Sequence, residues 1–168
     1  MTVVICDVET SGLDPLNNEI VAIGIRANGV SKIFARNEKT TEAEILSAFW
    51  DELQTIPHPI LVGFNLPFDW QMIKLRSVRH KLVIHHLDKY SERIDLRLVL
   101  NSDRYARGTK LGDYCKCFEI PDNDDIDGSQ IPLLFMEGHY HKVRAHLEAD
   151  LVKTEALFKR MQECGVIA

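Results

Sequence analysis

The stretch TVVICDVET, residues 2–10, is an apolar, β-branched run that ends in two acidic residues separated by a valine. Residues 2–8 are apolar on both alternating faces, which is typical of a central strand covered on both sides of a sheet. Asp7 and Glu9 are two positions apart, so both side chains leave the same face of that strand at its C-terminal end. Either this pair binds a divalent cation, or the strand ends at Asp7 and both acids point to water.

Two further strands are predicted directly after the first. Residues 19–26 (EIVAIGIR) and 31–36 (SKIFAR) have the β-branched, alternating character of strands, and Asn28-Gly29 between them is a hairpin-turn sequence. The chain therefore begins with three consecutive strands, which predicts an antiparallel meander.

The rest of the chain alternates between helical and strand patterns. Thr41 and Glu44 have the spacing of a capping box, and apolar residues at helical spacing follow them. The later predicted elements are a buried strand at 60–64, a helix at 67–78, a short strand at 93–95, a weaker helix at 110–118 and a long amphipathic helix at 140–164. This order predicts an α/β fold with a mixed five-stranded sheet and helices on both faces.

Length and composition are those of an ordinary globular protein. The chain has 168 residues, 45% of them hydrophobic and 27% charged, which excludes a disordered or coiled-coil protein and predicts a single domain over residues 1–168. No run of 18 uncharged apolar residues and no leader pattern is present, so we expect a soluble, cytoplasmic protein with no membrane partner.

The charges are unevenly distributed along the chain. The net charge is -5, yet the segment from Gln71 to Lys110 has ten Lys and Arg against four Asp and Glu. This basic segment is either a path for a polyanion or an ordinary solvated face.

Other residues of metal-binding type stand apart from the first strand. Asp69 follows the fourth predicted strand, where it either projects toward the first strand or stabilises a helix N-terminus. His146 and Asp150 are one turn apart on the last helix, beside its apolar stripe, where they either belong to a site or form an ordinary surface pair. The run DNDDIDG at 122–128 lacks the spacing of a calcium loop, which predicts a solvated turn, and Cys115 and Cys117 are too close together for a zinc knuckle.

Taken together, these residues resemble the motifs of the DEDD superfamily of 3′–5′ exonucleases. The matching positions are Asp7, Glu9 and Thr10 in the Asp-x-Glu-Thr motif, Asn65 and Asp69 in the Asn-x-x-x-Asp motif, and Asp150 in the third motif. The segment 126–130 (IDGSQ) and Thr154 are similar to the small exonucleases related to the proofreading domain of family B DNA polymerases. The resemblance implies a ribonuclease-H-like three-layer fold, two Mg²⁺ or Mn²⁺ ions, and degradation of single strands from the 3′ end.

The resemblance also implies roles for individual residues. Asp7 would bridge both ions, Glu9 and Asp150 would complete one ion site, and Asp69 would hold the other. Substrate-binding roles fall to the second-motif Asn65, to Thr10 and Leu13 at the terminal nucleotide, and to basic residues along the strand's backbone. The basic candidates are Lys74, Arg76, Arg79, Arg104, Arg107 and Lys110.

One position departs from the family pattern. His146 stands where one subtype has a tyrosine, whereas the other subtype has its histidine one residue earlier. We expect His146 to act as the general base, because histidine titrates near neutrality. The alternatives are an inactive nuclease-fold module that binds nucleic acid or a protein partner, and an endonuclease of the ribonuclease H type.

The expected partner is the 3′ end of a single strand. DNA is favoured over RNA, although no short sequence motif indicates whether the substrate's sugar is ribose or deoxyribose. The chain contains no polymerase or helicase part, so it is expected either to act alone or to serve an assembly of replication or repair proteins.

Overall fold

A computed structural model describes residues 1–84, 93–101 and 109–167, and its centre is a five-stranded sheet in the order β3-β2-β1-β4-β5. The strands are β1 (Thr2–Thr10), β2 (Ile20–Ala27), β3 (Val30–Ala35), β4 (Pro59–Gly63) and β5 (Arg93–Asp95). β1, β2 and β3 pair antiparallel, whereas β4 pairs parallel with both β1 and β5, so the predicted meander and mixed sheet are confirmed. β1 continues to Thr10, so Glu9 lies within the strand and the alternative that the strand ends at Asp7 is wrong.

The hairpin between β2 and β3 is built as its sequence predicts. Asn28 has φ 51° and Gly29 has φ 78°, both in the left-handed region. Asparagine and glycine tolerate that conformation, which matches the twist of the paired strands.

Six α-helices occur in the described parts of the chain. They are α1 (Glu42–Gln54), α2 (Leu66–Arg79), α3 (Leu96–Leu100), α4 (Leu111–Cys117), α5 (Ile131–Met136) and α6 (Tyr140–Glu163). The capping box at the start of α1 is present, with Thr41 and Glu44 bonded to each other's main-chain N–H. The short helices α3 and α5 were not predicted, because five or six residues are too few to establish a helical period. None of the helices in the described ranges is long and apolar enough to cross a membrane.

The helices cover both faces of the sheet, as expected. Val4 and Cys6 of β1 pack with α1 and α2 on one face, whereas Ile5 packs with α6 on the other. α6 comes very close to β2, because a Cβ added to Gly24 would lie 2.7 Å from a methyl carbon of Leu151. Gly24 is the partner of Asp7 in the β1–β2 pairing. This close approach brings the acidic part of α6 to the acidic end of β1.

Candidate active site

The end of β1 and the middle of α6 bring three potential metal ligands together. Glu9, His146 and Asp150 each offer a ligand atom, and these atoms all lie within 4.8 Å of one another. His146 Nε2 is 3.6 Å from Glu9 Oε1 and 3.8 Å from Asp150 Oδ2. Glu9 and His146 are buried, whereas the Asp150 side chain keeps 23% of its surface exposed. The cluster can therefore be reached from the surrounding solvent through its Asp150 side.

α2 contributes Asp69 to the same place. β1 runs on past Ile5, its last pairing with β4, and the main-chain N–H of Val8 donates to Asp69 Oδ1 at 3.3 Å. The side chains of Asp69 and Asp7 are close enough to share a hydrogen bond. Of the two alternatives for Asp69, the structure supports the one in which its side chain projects toward the first strand.

Crowding of these acids makes them hard to ionise. Loss of hydration, followed by the charge of Asp150, raises the pKa of Asp7 to about 7. Loss of hydration and the charge of Asp7 also raise the pKa values of Glu9 and Asp69 well above their ordinary range. Carboxylates in such a cluster are stabilised by a cation between them, and oxygen ligands are those that Mg²⁺ and Mn²⁺ prefer. The residues present therefore fit divalent cations.

Asp124 is a site residue that the sequence did not identify. Its Oδ2 atom contacts His146 Nδ1, and its side chain is only 9% exposed. The expectation that residues 122–128 form a solvated turn is therefore wrong for Asp124, which turns inward to a buried histidine. An acid-rich loop gives no sequence signal that distinguishes the inward residue from its exposed neighbours.

Lys153 is a second residue that the sequence did not identify. Its Nζ atom lies 2.7 Å from Asp150 Oδ1, 3.2 Å from Asp122 Oδ1 and 3.8 Å from Asp124 Oδ2. Burial alone would lower the pKa of Lys153, but its ion pairs with Asp150 and Asp122 outweigh burial and raise that pKa. The signal available was its position three residues after Asp150, on the same helix face.

The predicted substrate-binding role of Arg76 is wrong. Its side chain is 2% exposed, and it donates from Nε and Nη2 to the two carboxylate oxygens of Glu42 at 2.8 and 2.6 Å. Glu42 also accepts from the main-chain N–H of Ile20 at 2.7 Å. Arg76 follows Asp69 by seven residues, which places both on the inward face of α2. A count of charges along the sequence does not distinguish a buried arginine from an exposed one.

The other predicted binding residues differ in exposure. Leu13 is 81% exposed in the loop after β1, and Arg79 is exposed at the end of α2. The Thr10 hydroxyl donates to the Gly12 carbonyl at 2.8 Å. Asn65 is held in the left-handed region, and its side-chain oxygen accepts from Arg97 at 3.1 Å.

Four basic residues complete the predicted set, and one of them, Lys74, is exposed on α2. The exposed Lys110 Nζ is 2.5 Å from Asp127 Oδ2, at a groove of about 310 Å³ that also reaches His146 and Asp150. Arg104 and Arg107 lie outside the described residues.

Solved structures with a similar fold include a DNA polymerase and an exonuclease. The family B DNA polymerase of the archaeon Pyrobaculum calidifontis superposes with a TM-score of 0.77 and is 17% identical to this chain. A product-bound exonuclease I superposes with a TM-score of 0.62 and is 15% identical. The matches cover 96% of this chain in both cases, but only 24% of the polymerase and 43% of exonuclease I. At these identities the similarity shows a shared fold, which confirms the ribonuclease-H-like expectation.

Sequence comparison identifies the family. The chain is 40% identical to an uncharacterized protein of Methanocaldococcus jannaschii, over 99% of both chains. Residues 17–165 match the family described as "Predicted 3'-5' exonuclease related to the exonuclease domain of PolB". The chain therefore belongs to this family of predicted 3′–5′ exonucleases, in agreement with the motifs in its sequence.

Proposed function

We propose that the protein is a metal-dependent exonuclease that removes nucleotides from the 3′ end of single-stranded nucleic acid, with DNA favoured over RNA. The observation that carries the proposal is the cluster of Glu9, His146 and Asp150, with Asp7 and Asp69 adjoining it at the end of β1. Crowded acids with raised pKa values destabilise a fold, and a bound cation would offset the repulsion between them. Membership of the exonuclease family supports the same reading.

In this proposal the acids hold two divalent ions, Mg²⁺ or Mn²⁺. Glu9 and Asp150 would bind one ion, Asp69 the other, and Asp7 both. Such ions, when bound, make an attacking water more acidic and stabilise the charge on the leaving 3′ oxygen. They also offset the repulsion between an acidic cluster and a phosphodiester.

His146 is the proposed general base. Its Nε2 atom faces Glu9 and Asp150, so it is positioned to accept a proton from an attacking water at the cluster. The described residues proposed to bind backbone phosphates are Lys110 at the neighbouring groove and the exposed Lys74 and Arg79 on α2. Leu13 is proposed to contact the terminal nucleotide.

A second candidate function is a binding module that does not cleave. The observation that favours it is Lys153, because its ammonium group is 2.7 Å from Asp150 and already supplies a cation to that carboxylate. Lys153 also acts on Asp7, but only weakly, because the pKa of Asp7 is still raised to about 7; no ion pair joins Asp7 or Asp69 to a Lys or Arg among the described residues, which favours the enzyme.

The test uses single-stranded DNA and RNA oligonucleotides labelled at either end, with Mg²⁺, Mn²⁺ or a chelator. The exonuclease predicts release of the 3′ label as mononucleotide and a ladder from the 5′-labelled strand, with no cleavage in chelator. Internal cuts would instead indicate an endonuclease, and binding without cleavage in both metals would favour the binding module.

Matched variants link the activity to the site. Asp7→Ala should abolish cleavage, and His146→Ala should slow it about 100-fold or more if His146 is the base. Asp51→Asn is the control, because Asp51 is exposed on α1. Cleavage that survives Asp7→Ala would contradict the proposed site.

A further inference from the structure

We propose that Asp124 is a positioning residue that holds the His146 ring with its proton on Nδ1 and its lone pair on Nε2. The inference rests on the proposed function for its catalytic meaning, and it extends that function to a residue outside the exonuclease motifs. Asp124 contacts neither substrate nor ion in this scheme, since it acts through His146.

The first observation is that the Asp124 carboxylate is fixed at both oxygens. Oδ1 accepts from the main-chain N–H of Ile126 at 3.1 Å, and Oδ2 contacts His146 Nδ1. A carboxylate oxygen only accepts, so the hydrogen in the contact with the ring belongs to Nδ1. A neutral imidazole that carries its hydrogen on Nδ1 has its lone pair on Nε2.

The second observation is the direction of the other ring nitrogen. Nε2 points to Glu9 and Asp150 at 3.6 and 3.8 Å, distances that exceed a hydrogen bond. Gly128 leaves space on another side, because a Cβ added there would lie 3.7 Å from Nε2. The nitrogen that faces the acids is therefore the one with the lone pair, as a proton acceptor requires.

The third observation explains why Asp124 stays in place. Lys153 lies 3.8 Å from Asp124 Oδ2 and 3.2 Å from Asp122 Oδ1, so it ties the loop to α6, the helix that carries His146. Little of the contact is open to water, because His146 is 4% exposed and the Asp124 side chain 9% exposed. In a buried site of this kind, a carboxylate that orients a histidine also selects its tautomer.

The direct test is nitrogen NMR of the histidine side chains in ¹⁵N-labelled protein with excess Mg²⁺ at about pH 8, where histidines are ordinarily neutral. His146→Gln assigns the signal by removing it. Wild type should show the Nδ1–H tautomer of His146. Asp124→Asn should shift the ring toward Nε2–H, because the Asn amide can donate to Nδ1, and Asp124→Ala should give a mixture.

Two results would overturn the inference. One is a wild-type His146 that carries its proton on Nε2 or on both nitrogens. The other is an unchanged tautomer in both Asp124 variants. Asp125→Asn is the matched control, since Asp125 is the exposed neighbour in the same loop, and its spectrum should equal that of wild type.

Kinetics separate this inference from the proposed function. If the protein is an exonuclease, Asp124→Asn should lower kcat about 100-fold with KM within about threefold, while Asp125→Asn leaves both unchanged. Active Asp124 variants beside an active wild type would overturn the inference alone. An Asp124-dependent tautomer in a protein that cleaves nothing would leave the inference standing and reject the exonuclease.

Discussion

The Nζ atom of Lys153 lies 2.7 Å from Oδ1 of Asp150, one turn away on α6. The same ammonium group reaches Asp122 and Asp124 in the loop beside the helix. A buried lysine among three acids is an internal counterion, and it accounts for part of the charge balance of the site when no metal is bound.

Lys153→Met should lower the free energy of unfolding of the metal-free protein by about 1 to 3 kcal/mol, because it leaves partly buried acids without their counterion. Methionine retains most of the packing of the aliphatic stem. Urea unfolding in chelator measures the change, and excess Mg²⁺ should reduce it. Lys159→Met is the control, since Lys159 is exposed and its pair with Glu155 should contribute less than about 1 kcal/mol. If Lys153→Met lowers the free energy of unfolding as much in excess Mg²⁺ as in chelator, the counterion role is contradicted.

Asp7→Asn should stabilise the metal-free protein at neutral pH. The pKa of Asp7 is about 7 in the folded protein, against about 4 for an unfolded aspartate, so the folded state binds the extra proton between these values. The contribution of Asp7 to stability is therefore greatest below about pH 4 and is lost as the pH rises through 7. At about pH 8 the variant should be more stable than wild type by about 1 to 3 kcal/mol.

The measurement is urea unfolding in chelator from about pH 5 to 8. Wild type should lose stability over this range more steeply than Asp7→Asn. Parallel curves would show that Asp7 ionises normally and that the acids are less crowded than the structure indicates. Mg²⁺ should raise the melting temperature of wild type more than that of the variant.

Arg76 and Arg79 are one turn apart on α2, but their substitution should affect different properties, stability for Arg76 and substrate binding for Arg79. Arg76→Met should cost about 3 to 5 kcal/mol of stability, because it leaves the buried Glu42 carboxylate without its bidentate partner. Arg79→Met should change stability by less than about 0.5 kcal/mol but weaken binding to single strands of every sequence, with a salt dependence lower by about one charge. Equal binding by Arg79→Met and wild type would remove Arg79 from the substrate path.

The sheet and the acidic motif residues could be predicted because they follow local rules. A strand covered on both faces, an Asn-Gly turn and a capping box each have a signature a few residues long, and all three were found in the structure. The Asp7–Glu9 pair was informative because acidic residues are rare in buried strands.

The partners of the site could not be predicted, because they depend on long-range contacts. Asp124 meets His146 across 22 residues, and Arg76 meets Glu42 across 34. Nothing in the sequence distinguishes the inward Asp124 from exposed Asp125, or the buried Arg76 from exposed Arg79. Which member of such a pair turns inward is decided by the packing of a loop or helix against the sheet.

Leu13 offers a test of how the substrate end is held. Its side chain is 81% exposed on the loop after β1, and that loop is closed by hydrogen bonds from Thr10 to Gly12 and from the Asp14 N–H to Asn18. A loop closed in this way, with an apolar side chain four residues after Glu9, can cover a terminal base. Leu13→Ala should therefore lower kcat/KM about tenfold, with stability unchanged to within about 0.5 kcal/mol.

Leu16→Ala is the matched variant, because Leu16 is 69% exposed in the same loop. Steady-state kinetics on a single-stranded oligonucleotide should show a large effect for Leu13 and a small one for Leu16. If both variants lose activity equally, the apolar character of the whole loop holds the substrate. If neither does, the terminal nucleotide is held elsewhere, and the exposure of Leu13 has another cause.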